Sequence, residues 1–249
     1  MIRGLALALS WLTVLPVPAP GEVDSDVARR ALYWAPVVGA VLGLPAVGML
    51  AALSAMGTPP LLTGVAVVAL LAGLTRGMHL DGLADTADGL GCYGGAQRAL
   101  EVMRDGAAGP FAVVALVLVL TAQAAALGAL AETGRMLAVA LALIAGRVAM
   151  EWSARHAVPP ARSVGLGALV AGSQPPAVPL IWTAALLACG LAAVPGRAWQ
   201  GALAVGLAAL AVVALSAHTR RRFGGVTGDV LGAANELATT VLLAVCAIG

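Results

Sequence analysis

The sequence predicts an all-α, polytopic membrane helix bundle that forms one transmembrane domain over residues 1–249. Two observations support this prediction. Of the 249 residues, 61% are hydrophobic and only 10% are charged, whereas soluble domains average about 25% charged residues. Long apolar runs also recur along the whole chain, which excludes a soluble globule with a single anchor.

About seven apolar runs have the roughly 17 to 25 residues that a helix needs to cross the hydrocarbon core. Backbone groups in lipid must be hydrogen-bonded internally, so each run is predicted to be a helix. An apolar segment at residues 1–15 precedes Pro16-Val-Pro18 rather than a small-residue cleavage site, so it is predicted to be an extra N-terminal helix. The predicted spans are 32–56, 61–77, 111–130, 136–152, 178–194, 199–217 and 230–248.

The placement of arginine predicts the orientation of the bundle, because cytoplasmic loops are enriched in basic residues. If residues 16–31 are cytoplasmic and the spans alternate, loops 78–110, 153–177 and 218–229 are cytoplasmic too. Only Arg135 and Arg197 then fall on the opposite side, and the run Arg220–Arg222 is most simply a topology determinant. The cytoplasmic arginines would be Arg3, Arg29, Arg30, Arg76, Arg98, Arg104, Arg155, Arg162, Arg220, Arg221 and Arg222.

Several function classes are excluded by composition and motifs. A net charge of +2 is too small to favour binding of nucleic acid. Cys92, Cys189 and Cys246 lie far apart and have no metal or redox spacing. The sequence contains no P-loop, no serine nucleophile motif and no repeated half of the kind that many transporters show.

The first cluster of candidate site residues is His79, Asp81, Asp85 and Asp88, directly after an apolar run. Spacings of four and three residues place the three aspartates on one face of a helix. Like charges so close together repel one another unless a cation lies between them. The cluster therefore predicts a divalent metal or phosphate site at the membrane surface. His79 either orients a phosphate or simply lies at the interface.

The second cluster is Glu101, Arg104 and Asp105, just before the next predicted span. Two carboxylate-bearing helices joined by a short loop are able to face each other across a metal ion. Mg²⁺ prefers carboxylates together with substrate phosphate oxygens. We therefore expect Asp105 and Glu101 to join Asp81 and Asp85 as metal ligands.

The third cluster is the glycine-rich segment 224–236, which begins the last predicted helix. Free backbone N–H groups and the positive end of the helix dipole favour a phosphate there. Thr227 or Asp229 is expected to cap the helix. Glu236 lies within a membrane helix, where an unpaired carboxylate is usually functional. The substrate-binding residues predicted from this segment are Gly225, Thr227, Gly228, Asp229, Asn235 and Glu236.

Arg147 and Glu151 are four residues apart within one predicted span. Their spacing is compatible with an ion pair that faces the bundle interior and with a substrate contact by Arg147. We leave both interpretations open and include Arg147 and Arg104 among the candidate substrate-binding residues.

Together these motifs resemble the cobalamin synthase family, the adenosylcobinamide-GDP ribazoletransferases. The resemblance covers essentially the whole chain, and only 106–111 departs from the pattern while keeping Gly109. It rests on His79-Leu-Asp-Gly-Leu-Ala-Asp-Thr-Ala-Asp-Gly89, Met103-Arg-Asp105, Gly224-Gly-x-Thr-Gly-Asp-x-Leu-Gly-Ala-x-x-Glu-Leu237, Leu15-Pro-Val-Pro18 and Pro36-x-x-Gly39.

The resemblance implies a multi-pass enzyme of the cell inner membrane that requires Mg²⁺ and has its active site on the cytoplasmic face. It would join adenosylcobinamide-GDP to α-ribazole, or to its 5′-phosphate, and release GMP. Within this chemistry we expect Asp81, Asp85 and Asp105 to neutralise the diphosphate through the metal. We expect Asp88 to take the proton of the attacking hydroxyl. The lipid bilayer is the other expected partner, and a homo-oligomer is left open.

Two alternatives have distinct expectations. A CDP-alcohol phosphotransferase-like lipid enzyme would use carboxylates on two membrane helices in the same way, although its motif differs in the region of Asp85. A metal-ion or solute transporter would place charges near the bilayer midplane on several helices, whereas here they cluster at one end of the predicted spans.

Overall fold

The computed structural model describes residues 2–18 and 21–249, so Met1 and part of the predicted cytoplasmic segment 16–31 lie outside the described residues. These residues form eleven helices and, apart from two isolated bridges, no β-structure. The helices are α1 (Ile2–Leu12), α2 (Ser25–Ala55), α3 (Pro60–Leu74), α4 (Met78–Gly91), α5 (Ala96–Val102), α6 (Pro110–Glu132), α7 (Met136–Ser153), α8 (Leu166–Val170), α9 (Ala177–Gly190), α10 (Ala198–Phe223) and α11 (Gly228–Ala247).

All seven predicted spans fall on helices, and the all-α, polytopic membrane fold is confirmed. Among the described residues, α2, α6, α7, α10 and α11 are long and apolar enough to cross a membrane. Helices α3 and α9 have only 15 and 14 residues. The number of full-length spans is therefore five, or six if α3 and α4 form one broken span, rather than about seven.

The chain bends sharply between α3 and α4. The two helix axes differ by 94°, and the turn contains Arg76 and Gly77 with φ angles of 56° and 66°. Glycine adopts such a left-handed conformation at little cost. Arg76 also donates hydrogen bonds to the carbonyl oxygens of Ser10 and Thr13, both at 2.9 Å. The predicted N-terminal helix is thus present as α1 and is fastened to the bend.

Helices α7 and α11 form the centre of the bundle. Their apolar windows are 72% and 61% buried, whereas those of α2, α6 and α10 are 33% buried. Helix α2 packs mainly on α7, and α4 and α10 pack mainly on α11. The outer helices therefore face lipid and the central pair organises the interior.

The connections sort into two ends of the bundle, as alternating helices require. One end, called here the site end, contains α4, α5, the loop 154–165 and the turn 224–227. Pro160 and Val226 pair there in a parallel bridge. At the far end, Arg135 donates to the carbonyl oxygens of Cys246 and Gly249 at 2.8 and 2.6 Å. The acidic motif and the glycine-rich turn are therefore neighbours.

Candidate active site

Asp81, Asp85 and Asp88 lie on α4, so the predicted helix is confirmed. Their surroundings differ along the helix: Asp81 is exposed, Asp85 is half-buried and Asp88 is buried. The motif is not the end of a spanning helix, as the sequence suggested, but a separate helix bent away from α3. Helix α4 therefore turns by 94° from the direction of α3 at the site end of the bundle.

Two glycines allow α4 and α11 to cross with their backbones in contact. A Cβ atom added to Gly82 would lie 2.7 Å from the carbonyl oxygen of Asp229. A Cβ atom added to Gly232 would lie 3.2 Å from the Cα atom of His79. Real side chains do not fit at the first distance, so the crossing requires glycine at position 82. This contact brings the first turn of α11 beside the carboxylates of α4.

The carboxylate that faces Asp85 comes from α11. The pKa of Asp85 is raised to about 6, first by burial and then by the charges of Asp229, Asp81 and Asp88, while Arg162 opposes the shift. The negative charges of two helices thus converge on one half-buried side chain. Sequence spacing predicted the grouping of Asp81 with Asp85, whereas the position of Asp229 opposite them follows only from the helix crossing.

Arg162 is the site residue that sequence reasoning did not single out. One of its nitrogen atoms lies 3.4 Å from a carboxylate oxygen of Asp229, and another donates to the carbonyl oxygen of Leu100 at 3.0 Å. Both charged side chains are mostly buried, with exposed fractions of 20% and 24%. In the sequence Arg162 is one of eleven arginines on the predicted cytoplasmic side. Arg162 is brought beside Asp229 because the loop 154–165 packs on the turn 224–227.

Two cavities adjoin this cluster. One, of about 210 Å³, is lined by His79, Asp81 and residues of α1, α7, α8 and α11. The other, of about 170 Å³, lies between Arg162, residues 164–168 and the turn at 226–229. Both cavities share Leu166, Gly228 and Asp229. Asp229 therefore lies at the junction of two spaces, one beside the acidic helix and one beside a basic side chain and the start of α11.

The glycine-rich turn has two roles that the structure separates. Thr227 caps α11, because its hydroxyl oxygen accepts a hydrogen bond from the Val230 N–H at 3.2 Å. Gly228 lines both cavities, as a phosphate-binding backbone position would. Gly225 does not: an added Cβ atom would meet the backbone of Pro159 and lie 2.7 Å from the Ala161 nitrogen. The close packing of Gly225 against this loop explains the glycine without a ligand, and its predicted role in substrate binding stays a prediction.

The carboxylate of Asp88, a residue of α4, lies at the start of α6. Its two oxygens accept hydrogen bonds from the backbone N–H groups of Gly109 and Ala112, at 2.6 and 2.9 Å. These are among the first N–H groups of a helix, which have no partner within the helix itself. A carboxylate that accepts two such hydrogen bonds is well suited to capping and poorly placed to take a proton from a substrate hydroxyl. This geometry does not support the expected role of Asp88 as the base.

The second predicted cluster is exposed to solvent. Glu101 is exposed and pairs with Arg98 on its own helix at 3.6 Å. Arg104 and Asp105 are exposed in the turn that follows α5, and neither Asp105 nor Glu101 contributes to the charge around Asp85. The carboxylate from a second helix that acts on Asp85 is Asp229 of α11, and the assignment of Asp105 and Glu101 as metal ligands stays a prediction.

Arg147, Asn235 and Glu236 lie deeper, in the interior between α7, α11 and α6. The Glu236 carboxylate accepts hydrogen bonds from Gln123 at 2.8 Å and from Asn235 at 3.0 Å. The cavity beside them measures about 30 Å³, which is room for a water molecule and not for a nucleotide. Their position does not support direct contact with substrate, and Arg147 forms no ion pair with Glu151 within the described residues.

His79 is buried beneath α4 and lines the larger cavity. Neither ring nitrogen has a hydrogen-bond partner within the described residues. Burial lowers the pKa of His79 well below its ordinary value, and the charge of Arg147 lowers it further. A neutral ring offers one donor and one acceptor to a ligand in the cavity.

The site suits a magnesium ion that is bound together with a substrate. Within residues 2–18 and 21–249, no three His, Cys, Asp or Glu side chains are close enough to hold a metal ion by themselves. Mg²⁺ is commonly bound by one or two carboxylates, with water and substrate phosphates completing its shell. Asp81 and Asp85 offer such oxygens, and Asp229, Asp81 and Asp88 add negative charge around Asp85 that a cation would offset.

Comparison with known proteins gives a consistent result. The family model described as cobalamin-5-phosphate synthase matches residues 4–247. A protein of Nocardioides sp. named adenosylcobinamide-GDP ribazoletransferase is 43% identical, and the match covers 95% of this chain and 94% of the relative. Relatives with the same name from Frankia casuarinae and Corynebacterium efficiens are 38% and 37% identical, over 97% and 100% of this chain and 93% and 92% of theirs. No solved structure matches the chain.

Proposed function

The chain belongs to the cobalamin-5-phosphate synthase family, and from this premise we infer how its site at α4 and α11 carries out the reaction. Membership makes the chain an adenosylcobinamide-GDP ribazoletransferase of cobalamin biosynthesis. The comparisons do not favour a lipid phosphotransferase or a transporter. The proposal concerns the chemistry: a magnesium-dependent phosphoryl transfer in which α-ribazole, or its 5′-phosphate, displaces GMP from adenosylcobinamide-GDP.

One observation carries the proposal. Asp229 lies at the junction of two cavities, Asp81 lines the larger one, and the charges of both act on Asp85, with the guanidinium of Arg162 beside Asp229. A reaction between two substrates over a diphosphate needs this combination of two adjoining spaces, carboxylates for a metal and a fixed positive charge. Positioning and electrostatic stabilisation supply most of the catalysis in phosphoryl transfer.

Asp81 and Asp85 are the residues that would hold Mg²⁺. They lie four residues apart on one face of α4; Asp81 is exposed and lines the larger cavity, and Asp85 is half-buried. The chemistry that Mg²⁺ would supply when bound by these carboxylates is neutralisation of charge on the diphosphate and on the leaving GMP oxygen. The neighbouring Asp229 keeps the local charge negative, which favours retention of a cation between the two helices.

Arg162 and the start of α11 would hold the diphosphate of adenosylcobinamide-GDP. Both border the cavity of about 170 Å³, together with the backbone at Gly228. A guanidinium forms paired hydrogen bonds with phosphate oxygens. The N-terminus of α11 adds unpaired N–H groups and a positive dipole end. These groups orient the phosphorus that is attacked.

Asp229 is the residue to which we assign the proton of the attacking hydroxyl. A new P–O bond forms between that hydroxyl oxygen and the phosphorus on the cobinamide side, and the P–O bond to GMP breaks. The proton passes to the Asp229 carboxylate, which lines both cavities. Asp88 is left to cap α6, and His79 contacts the ligand in the larger cavity.

The bundle would lie in the cell inner membrane with the site end facing the cytoplasm. The long apolar helices support a multi-pass membrane protein. Arg76, Arg98, Arg104, Arg162 and Arg220–Arg222 all belong to the site end, and arginine is enriched on the cytoplasmic side.

A direct assay tests the proposed function. Purified protein in detergent receives adenosylcobinamide-GDP and either α-ribazole or its 5′-phosphate, and GMP is quantified with Mg²⁺ or with excess EDTA. GMP release that needs both substrates and Mg²⁺ is the expected result. Equal release in EDTA would overturn the magnesium chemistry, and release without an acceptor would show hydrolysis in place of transfer.

A further inference from the structure

A groove outside the active site opens between α2 and α9 at the site end of the bundle. Its volume is about 490 Å³, and its lining consists of Arg29, Arg30, Tyr33, Trp34 and Val37 from α2 and Trp182 from α9. Helices α2 and α9 both pack on α7 but hardly contact each other. The space between them is therefore open to the lipid side, with α7 behind it.

The lining changes in character along α2 as the membrane does with depth. Arg29 and Arg30 come first, Tyr33 and Trp34 follow one turn later, and Val37 follows after a further turn. From Arg30 to Val37 the helix rises about 10 Å. Charged groups, then amphipathic aromatic rings, then aliphatic side chains match the headgroup, interfacial and hydrocarbon layers of a bilayer.

The two arginines at the mouth of the groove have little pairing with acidic side chains of the protein. Asp26 lies 3.3 Å from Arg29, but the two side chains are 66% and 40% exposed, and such a surface pair is weak. Arg30 forms no salt bridge within the described residues. The Nε atom of Arg29 is buried there without a hydrogen-bond partner. Of the carboxylates just before the arginines, only Asp26 pairs with either of them within the described residues; Asp24 accepts the Val27 N–H at the start of α2, and Glu22 forms no salt bridge.

We propose that this groove is a binding site for an anionic phospholipid such as phosphatidylglycerol. The lipid phosphate would lie between Arg29 and Arg30, since guanidinium groups bind phosphate through paired hydrogen bonds. One acyl chain would lie against Trp34, Val37 and Trp182. A zwitterionic lipid fits less well, because its ammonium group would meet two arginines of which only Arg29 is paired with a carboxylate. Soluble phosphate would leave the apolar part of the groove unfilled.

The test uses the full-length protein in detergent and measures thermal unfolding as lipid is added. Phosphatidylglycerol and phosphatidylcholine with identical acyl chains are compared, with glycerol phosphate as the soluble anion. The wild-type protein is expected to be stabilised at lower concentrations of phosphatidylglycerol than of the other two. The double variant Arg29→Gln/Arg30→Gln is expected to lose roughly fivefold in apparent phosphatidylglycerol affinity for each arginine.

Two further variants separate a specific site from general charge and from misfolding. Trp182→Leu removes an aromatic wall without changing charge, and it is expected to weaken both lipids. Arg221→Gln removes an exposed arginine at the same end but outside the groove, and it is expected to leave the lipid preference unchanged.

Three results would overturn the proposal. Equal stabilisation by the two lipids would remove the anionic selectivity, and equal stabilisation by glycerol phosphate would show a simple anion site. A rise in the KM for adenosylcobinamide-GDP in the double variant, measured without lipid, would instead assign the groove to the substrate. None of these readings depends on which residues catalyse the reaction.

Discussion

Gly82 on α4 lies directly against Asp229 on α11, so closely that an added Cβ atom would be 2.7 Å from the Asp229 carbonyl oxygen. The backbone contact fixes the distance between the helix that carries Asp81 and Asp85 and the helix that begins at Gly228. The site therefore depends on a residue that has no side chain and takes no part in the chemistry. The following predictions start from this contact.

Gly82→Ala is predicted to lower GMP release by about 100-fold, because a misplacement of about 1 Å between catalytic groups has effects of that size. The added methyl group must push α4 away from Asp229. Gly73→Ala on α3 is the matched control, since a Cβ atom there meets nothing within 4 Å. Wild-type turnover in Gly82→Ala, in protein that remains folded, would show that the close contact is not needed.

Substitutions of Asp88 are predicted to act mainly on the thermal stability of the protein and less on its turnover. Asp88→Ala leaves the N–H groups of Gly109 and Ala112 without acceptors, at a cost of about 1–3 kcal/mol each when buried, so the Tm should fall. Asp88→Asn keeps one acceptor oxygen and should retain measurable turnover and much of the Tm. If both variants kept the wild-type Tm and both were inactive, Asp88 would be the base and the capping account would fail.

Arg162→Gln is predicted to raise the KM for adenosylcobinamide-GDP by roughly 10- to 100-fold, the effect expected from losing a hydrogen bond to a charged group. The KM for α-ribazole should stay nearly constant, because Arg162 borders only the smaller cavity. Arg162→Lys should recover part of the lost affinity, because lysine restores the positive charge but not the paired hydrogen bonds of a guanidinium. Arg98→Gln, which removes an exposed arginine paired with Glu101, is the control. Equal effects on both substrates would argue against a diphosphate contact.

The orientation is tested by labelling single cysteines in a background without Cys92, Cys189 and Cys246. Gly95→Cys lies at the site end and Glu132→Cys at the far end, and both positions are exposed. Gly95→Cys is predicted to react only after the membrane is made permeable, and Glu132→Cys in intact cells. The reverse pattern would place the active site on the periplasmic face.

Much of the architecture could be predicted from the sequence, because few backbone structures are stable in lipid. Apolar runs must be helices in a bilayer, and all seven predicted runs are helical. Spacing also grouped Asp81 with Asp85 on one helix face, as the structure shows. The count of full-length spans was less accurate, since α3 ends at Leu74 where the turn at Arg76 and Gly77 begins, and composition does not reveal a bend of 94°.

The contact partners of each side chain could not be predicted from the sequence, because they depend on which helices cross. Nothing in the spacing of Asp88 shows that residues 109–112 return to its carboxylate. Arg162 could not be identified for the same reason, because its partner Asp229 is 67 residues away in the sequence. Gly225 was assigned to a ligand because a glycine-rich turn suits both a phosphate and a tightly packed loop, and only the position of Pro159 distinguishes them.

The central claim is that Asp81 and Asp85, placed beside Asp229 by the α4–α11 crossing, form the catalytic centre. The most direct measurement is GMP release by Asp81→Asn and Asp85→Asn at saturating Mg²⁺, with the Tm of each variant as evidence of folding. The account predicts that both variants remain folded in membranes and lose transfer almost completely, because each loses a metal ligand. Near wild-type turnover in either folded variant would contradict it.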